Sequence, residues 1–529
     1  HWLDVVRYAD TDGFEYDTHR HDAWRYRDYV IHSFNSDKPY SQFLREQLAG
    51  DEMDPKNEIL RIAAGFHRLG ALRKNAGNQE VASSRNEVLT EMTNVVGSAL
   101  LGVTLGCARC HDHKFDPIRH TDYYRMQAFF ASTQPSDVPL ASEAEQAAWT
   151  ARDKAVKDEM KSIQKSMKGL SGEAFKKMEE KLKEVESSAP QPLPSLYSVA
   201  NDSAKATPIH VLARGDYQNK GEKVGMRTLG VLLRENTPEL PPAIQTPRTK
   251  LADWILDPEN PLPARVMANR VWLYHFGRGI VATPNDFGRM GLRPTHPELL
   301  DYLANQLVDG GWTLKQLHRM ILLSNTYQQS SQQPAGSAAA VKDPENTLLW
   351  KFSRRRLDAE EIRDASLAAA GRLNTKAGGP GVIVPVDKDL LVFLYKPSQW
   401  TVAEDVAEHD RRSIYLLAKR NLRLPFMEVF DSPDMQLSCP RRDASTHAPQ
   451  ALELLNGDFS NHMAEALAER LRKEAGESRG RQVDLAYRLT AGRPPSAKER
   501  QLALTFLEKQ PLREFALTMY NLNSFLYVE

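Results

Sequence analysis

The sequence predicts a mainly α, multi-domain protein: two helical domains with a small β segment between them. Three observations carry that expectation. Apolar residues recur at steps of three and four over most of the chain, the period of a helix with one buried face. At 529 residues the chain exceeds what one compact core holds, so two or more domains are expected. Only one region, after a proline-dense break, reads as short strands and turns.

Residues 1–140 are expected to form the first helical domain. It opens on HWLDVVRYAD, which reads as the middle of an amphipathic helix with no cap before it, so this domain is expected to be incomplete at its N-terminus. In NEVLTEMTNVVGSALLGVTLG, Val88, Met92, Val95, Val96, Ala99, Leu100 and Val103 mark one buried face, and that helix is expected to run directly into Cys107. Gly97, Gly102 and Gly106 each cost a helix about 1 kcal/mol relative to alanine. They point to close approach, either of something flat or bulky or of a neighbouring helix. Residues 141–188, rich in Ala, Glu, Lys and Met, read as an inserted, solvated helical hairpin turning near Gly169 to Gly172, and APQPLP then breaks the helix.

Residues 195–245 read as the small β segment and its linker, ENTPELPPAIQTP. Residues 248–529 form the second, mainly helical domain. Its helices are expected in LADWILD, PARVMANRVWLYHF and HPELLDYLANQLVDGGWTLKQLHRMILLS, with a capping box from Thr295 to Glu298. A flexible loop over 330–346, a helix from near Asp358 with Glu361 at capping distance, loop and short strand over 378–400, and helices after His447 complete it. The chain has no internal repeat.

Bulk composition excludes several classes. Lys+Arg and Asp+Glu both number 69, with a pI near 7.4, so no global charge favours nucleic acid or an anionic membrane. No apolar run approaches the ~18 residues that span a bilayer. Three cysteines exclude a disulfide scaffold, and two of them fall in one motif while Cys439 stands alone.

That motif is GCARCHDHKFDP, residues 106–117. Covalent heme attachment needs two thiols to add across the porphyrin vinyl groups and an imidazole directly after them to reach the iron. Cys107-x-x-Cys110-His111 supplies both. A structural zinc would need a second Cys/His pair, and a thioredoxin-like disulfide would need a strand before the motif. The favoured reading is one heme c with His111 as proximal ligand. His1, a candidate distal ligand, competes for the sixth position with His19, His21, His32, His67 and Met92, or the iron is five-coordinate. Asp112, His113 and Asp116 are dispensable for attachment. They are candidates for proton transfer at the heme rim, with a structural hydrogen-bonding role as the alternative for His113.

Other clusters offer further candidates. ADTDGFEYD sets Asp10, Asp12, Glu15 and Asp17 around Gly13, a solvated turn, a partial calcium loop or a set of catalytic carboxylates. Arg441 and Arg442 precede a helix start at Ser445, Thr446 and Pro449, where they would hold a heme propionate or another anion, or form an ordinary surface pair. Trp24, Trp272, Trp312 and Trp400 are candidates for stacking on sugar rings, or for the core.

At these residues a resemblance enters. HWLDVVRYADTDGFEYD and GCARCHDHKFDPIRHTDYYRMQAFFAST resemble the cytochrome-like domain of the planctomycete cytochrome C proteins. LADWILDPENPLPARVMANRVWLYHFGRGIVATPNDFG, RRSIYLLAKRN and RRDASTHAPQALELLN resemble its usual partner domain. The chain departs from that family in starting inside the first domain and in carrying His447 where a threonine is common. The resemblance implies an exported heme protein, periplasmic or at the cell surface, in bacteria rich in polysaccharide-degrading systems. On that basis the expected function is an oxidoreductase acting on or near carbohydrate-derived substrates or a redox partner protein. The alternatives are an electron-transfer or scaffold cytochrome without its own substrate site, and a heme peroxidase.

Overall fold

The apolar periods become helices in both halves of the chain. The computed structural model describes residues 1–73, 78–233, 237–332, 336–395 and 397–529, with backbone alone for residues 78–80. Parts of the expected linker (235–236), of the expected flexible loop (333–335) and of the 378–400 segment (396) lie outside the described residues. The N-terminal part holds α1 (Trp2–Val5), α2 (Trp24–Asn35), α3 (Tyr40–Met53), α4 (Glu58–Ala64), α5 (Asn78–Val95) and α6 (His120–Gln127). Asn57 starts α4 by accepting from the Ile59 and Leu60 N–H groups at 3.0 and 3.2 Å.

Helix α5 does not run directly into Cys107. It continues as a π-helical turn, Val96–Leu101, and stops at Gly102, whose φ of 60° is left-handed. A Cβ on Gly102 would lie 2.7 Å from Val266 and 2.9 Å from Phe287, and one on Gly97 would lie 2.7 Å from Leu105. The close approach that these glycines permit is therefore made by the chain itself. A 3₁₀ turn, Leu105–Arg109, then carries the motif.

The β segment begins earlier than expected. β1 (Thr133–Pro135) and β2 (Val138–Pro139) precede the hairpin, and pair antiparallel with β4 (Val199–Asn201) and β3 (Ser195–Leu196) respectively. The hairpin, α7 (Glu143–Met167) and α8 (Gly172–Ser187), is thus inserted between β2 and β3. Strands of two and three residues are too short to show a period of two, which is why the sequence hides the first pair. A second ribbon pairs β5 (His210–Leu212) with β6 (Lys220–Lys223).

Then follow α9 (Pro247–Ile255), α10 (Leu262–Phe276), α11 (Pro297–Asp309), α12 (Leu314–Leu322), α13 (Ala338–Lys342) and α14 (Ala359–Ala370). The Asp358–Glu361 capping box opens α14 as the spacing predicts. The box expected at Thr295–Glu298 does not form: His296 is the N-cap of α11, and Thr295 directs its hydroxyl to the Ile280 carbonyl and His296 Nδ1. Five helices between Ala448 and Tyr520, then a short helix (Asn523–Leu526) and a strand (Tyr527–Val528), close the chain. Among the described residues no helix is long and apolar enough to cross a membrane.

Two large hydrophobic cores form among the described residues, the first drawing on residues from Trp2 to Phe352 and the second on residues from Ala359 to Phe525, with a small third cluster of Leu394, Trp400 and Leu422. Helices α9 and α10 join the first core because two fully buried arginines tie them to it. Arg248 grips Asp51 with both nitrogens at 2.7 Å, and Arg270 donates to the Ser98 and Ala99 carbonyls freed by the π-helical turn. A seam joins the two cores. Asp10 and Ala418 exchange bonds at 2.8 and 2.9 Å, Lys419 meets Asp17 at 2.9 Å, and Arg420 donates to the carbonyls of Arg7, Thr11 and Leu69.

Candidate functional site

The motif turn is exposed but firmly held. Cys107, Cys110 and His111 are all exposed, and both thiols are free. The Cys110 N–H closes the turn on the Cys107 carbonyl at 3.4 Å. Helix α6 pins it from below: Tyr124 donates to the Arg109 carbonyl at 2.7 Å, with His120 Nε2 on the same oxygen at 3.0 Å. Arg109 in turn donates to the Gly215 carbonyl at 3.1 Å, which brings the β5–β6 ribbon against the turn. Nδ1 of His111 lies 2.6 Å from the Asp112 carbonyl. A carbonyl only accepts, so Nδ1 carries the proton and the Nε2 lone pair is left for a metal.

This donor set fits covalent heme attachment. Two thiols spaced for the vinyl groups sit on one accessible turn, followed by an imidazole whose tautomer is fixed for ligation through Nε2. Cys107, Cys110 and His111 are exposed, so the group would be anchored on an exposed turn.

The other motif residues are engaged in structure. Asp112 Oδ1 accepts from the first N–H of α6 at 2.7 Å. His113 is buried, and its Nδ1 accepts from the Asp116 N–H at 2.9 Å. Asp116 accepts from the Arg289 N–H at 2.7 Å, tying the motif to the loop after α10.

Candidates outside the motif are not brought to it. His1 stacks on Tyr274 with ring centres 3.8 Å apart and lines a cavity that the motif does not reach. His67 and Met92 line a cavity of about 50 Å³, His19 and His21 one of about 190 Å³, and His32 is exposed. Three of the four carboxylates of the acidic loop have protein partners, and Glu15 is exposed. Asp10 accepts from Tyr8, Asp12 from Arg20, and Asp17 from Lys419 and two backbone N–H groups. Burial holds the Asp10 carboxyl above the usual carboxylate range against the pull of Arg27. Among the described residues no cluster of three or more His, Cys, Asp or Glu is placed to hold a metal ion. Arg442 is not open to an external anion, because its fork is filled by Asp4 at 2.8 and 3.0 Å and by Glu360. Arg441 is exposed, and burial pushes the nearby Cys439 thiol up to about 11. Trp272 and Trp400 are core residues, whereas Trp24 and Trp312 are half-buried.

Sequence reasoning missed a cavity of about 580 Å³ at the seam. His1, Leu3, Asp4 and Tyr8 contribute one side; the start of α14, the 412–424 segment and Arg442 contribute the other. Asp358 stood out in the sequence only as a helix cap, and no spacing rule connects it with Asp4.

Comparison with known families finds two matches. Residues 1–135 match the model of PSCyt2, a protein of unknown function (DUF1549), and residues 247–507 that of PSD1, a protein of unknown function (DUF1553). No curated protein and no solved structure matches the chain. The chain carries the PSCyt2 and PSD1 domain pair of the planctomycete cytochrome C proteins.

Proposed function

We propose that this is an exported c-type heme protein, periplasmic or at the cell surface. One heme is held through Cys107 and Cys110 with His111 as proximal ligand, and electrons are exchanged with a partner protein at the exposed turn. The observation that carries the reading is the turn itself: two free thiols in the open, and an imidazole whose Nδ1 is committed to the Asp112 carbonyl. Bound there, a heme would supply one-electron chemistry. The chain's own residues fix its anchor. Tyr124 and His120 hold the Arg109 carbonyl, Asp112 caps α6, and His113 and Asp116 lock the following loop. Those bonds favour positioning roles for Asp112, His113 and Asp116 over proton transfer.

A second reading, an oxidoreductase or peroxidase with its own substrate, draws support from the seam cavity, which offers carboxylates and apolar walls away from the motif. The test common to both is chemical. Protein made in a host with cytochrome c maturation is assayed as the pyridine hemochrome, and its Cys107–Cys110 peptide is weighed for a heme adduct. The adduct is expected in the native sequence and not in Cys107→Ala. Its absence from the native sequence overturns both readings. A reduced spectrum unchanged by carbon monoxide supports electron transfer, and a ligand-responsive one supports the enzyme.

A further inference from the structure

The seam cavity has the volume of a small-molecule site, about 580 Å³, and the heme reading makes no use of it. Part of its wall is apolar: Leu3, Leu416, Leu422, Leu424 and Met427. The rest is acidic, with Asp4 from α1 and Asp358, Glu360, Glu361 and Asp364 from the start of α14. The cations on the wall are already engaged. Arg442 holds Asp4 and Glu360, Arg412 holds Asp364 at 3.4 Å, Lys419 holds Asp17 at 2.9 Å, and Arg423 holds Glu428. Glu361 has Arg355 at 3.3 Å.

Asp358 is the exception. Among the described residues its only cationic partner within 4 Å is His1, with Nδ1 3.9 Å from Oδ2. Its carboxyl is held above the usual range, first by burial; Arg442 pulls it down while Glu361, Glu360 and Asp4 push it up. The cavity therefore contains a carboxyl crowded by like charge and short of a cation, beside a surface that suits hydrocarbon. It has no unengaged guanidinium or lysine to receive an anion.

We propose that this cavity binds a small organic amine with an apolar body, its ammonium group on Asp358 and its body against the leucine and methionine wall. The ammonium offsets the repulsion between Asp358 and its acidic neighbours and so brings the carboxyl back towards the usual carboxylate range. A neutral molecule of the same shape gains the apolar contact alone.

The probe is cyclohexylmethylamine, titrated calorimetrically into the full chain beside its neutral counterpart cyclohexylmethanol. The amine is expected to bind saturably and about tenfold or more tighter than the alcohol, the step that one charge-assisted contact supplies. Asp358→Asn keeps a good N-cap for α14, so the fold is retained, and it should remove the preference for the amine while leaving the alcohol unchanged. Equal binding of the two probes, absence of binding, or an unaltered preference in Asp358→Asn overturns the proposal. Cys107→Ala, which removes heme attachment, should bind the amine as the native chain does; loss of binding there would put the amine on the iron and also overturn it.

Discussion

His67 is buried in the first core with Nε2 2.8 Å from the Leu48 carbonyl, so it donates there as a neutral ring. Burial, aided by Arg248, pushes it down to about 3. An unfolded chain has an ordinary histidine near 6.5. Above that pH neither state binds the proton and the group adds no pH dependence. As pH falls from 6.5 towards 3 the unfolded state takes up a proton that the folded state refuses, and stability declines, at most by about 1.4 kcal/mol per pH unit for this group. His19 and His275, both pushed down to about 4 by burial first, act in the same direction. His67→Gln retains an N–H donor for Leu48 and cannot titrate. Denaturant midpoints measured at pH 7, 6, 5 and 4 should therefore fall less steeply in this variant, by about one bound proton. Coincident slopes would place the proton uptake elsewhere.

Among the elements, the α7–α8 hairpin is the most separable. Its buried side chains are Ile163 and Val185 alone, and its roots are joined by the β2–β3 pair and by the Leu140 N–H on the Pro194 carbonyl at 2.9 Å. Replacing residues 142–192 with a short Gly/Ser turn should shift the thermal midpoint by only about 2 °C, in keeping with a change confined to surface. A fall of more than about 10 °C in a thermal scan would show that the hairpin supports the body. The hairpin was also the most legible part of the sequence, since its biased composition and its glycine turn are local signals. So was the start of α14, where Asp358 and Glu361 make their box within one turn. β1 and β2 were illegible because pairing over two or three residues is decided by distant partners. The turn at Cys107 was legible as chemistry, yet the π-helical turn before it was not: Val96–Leu101 winds that way where Arg270, far along the chain, takes its carbonyls. The cavity was invisible for the same reason, its walls coming from residues as distant as Asp4, Asp358 and Leu422.

Over the whole molecule, two cores meet at a seam held largely by arginines. Arg420 donates to carbonyls of Arg7, Thr11, Leu69 and Met435, Arg27 to that of Gly379, and Arg442 to Asp4 and Glu360. Burial, with Arg20 and Arg7 nearby, pushes Arg420 down to about 9. Arg420 and Arg27 are buried there, as are Asp10, Asp17 and Lys419 beside them. Guanidinium chloride is a free form of the same ion: it competes for the same carbonyl oxygens and, as a salt, screens the Arg442 pairs, whereas urea carries no charge. In guanidinium chloride the radius of gyration should accordingly rise before the helical signal falls, as the halves come apart while each is still folded. In urea the two transitions should coincide. The choice of denaturant then decides whether this chain unfolds as one body or as two.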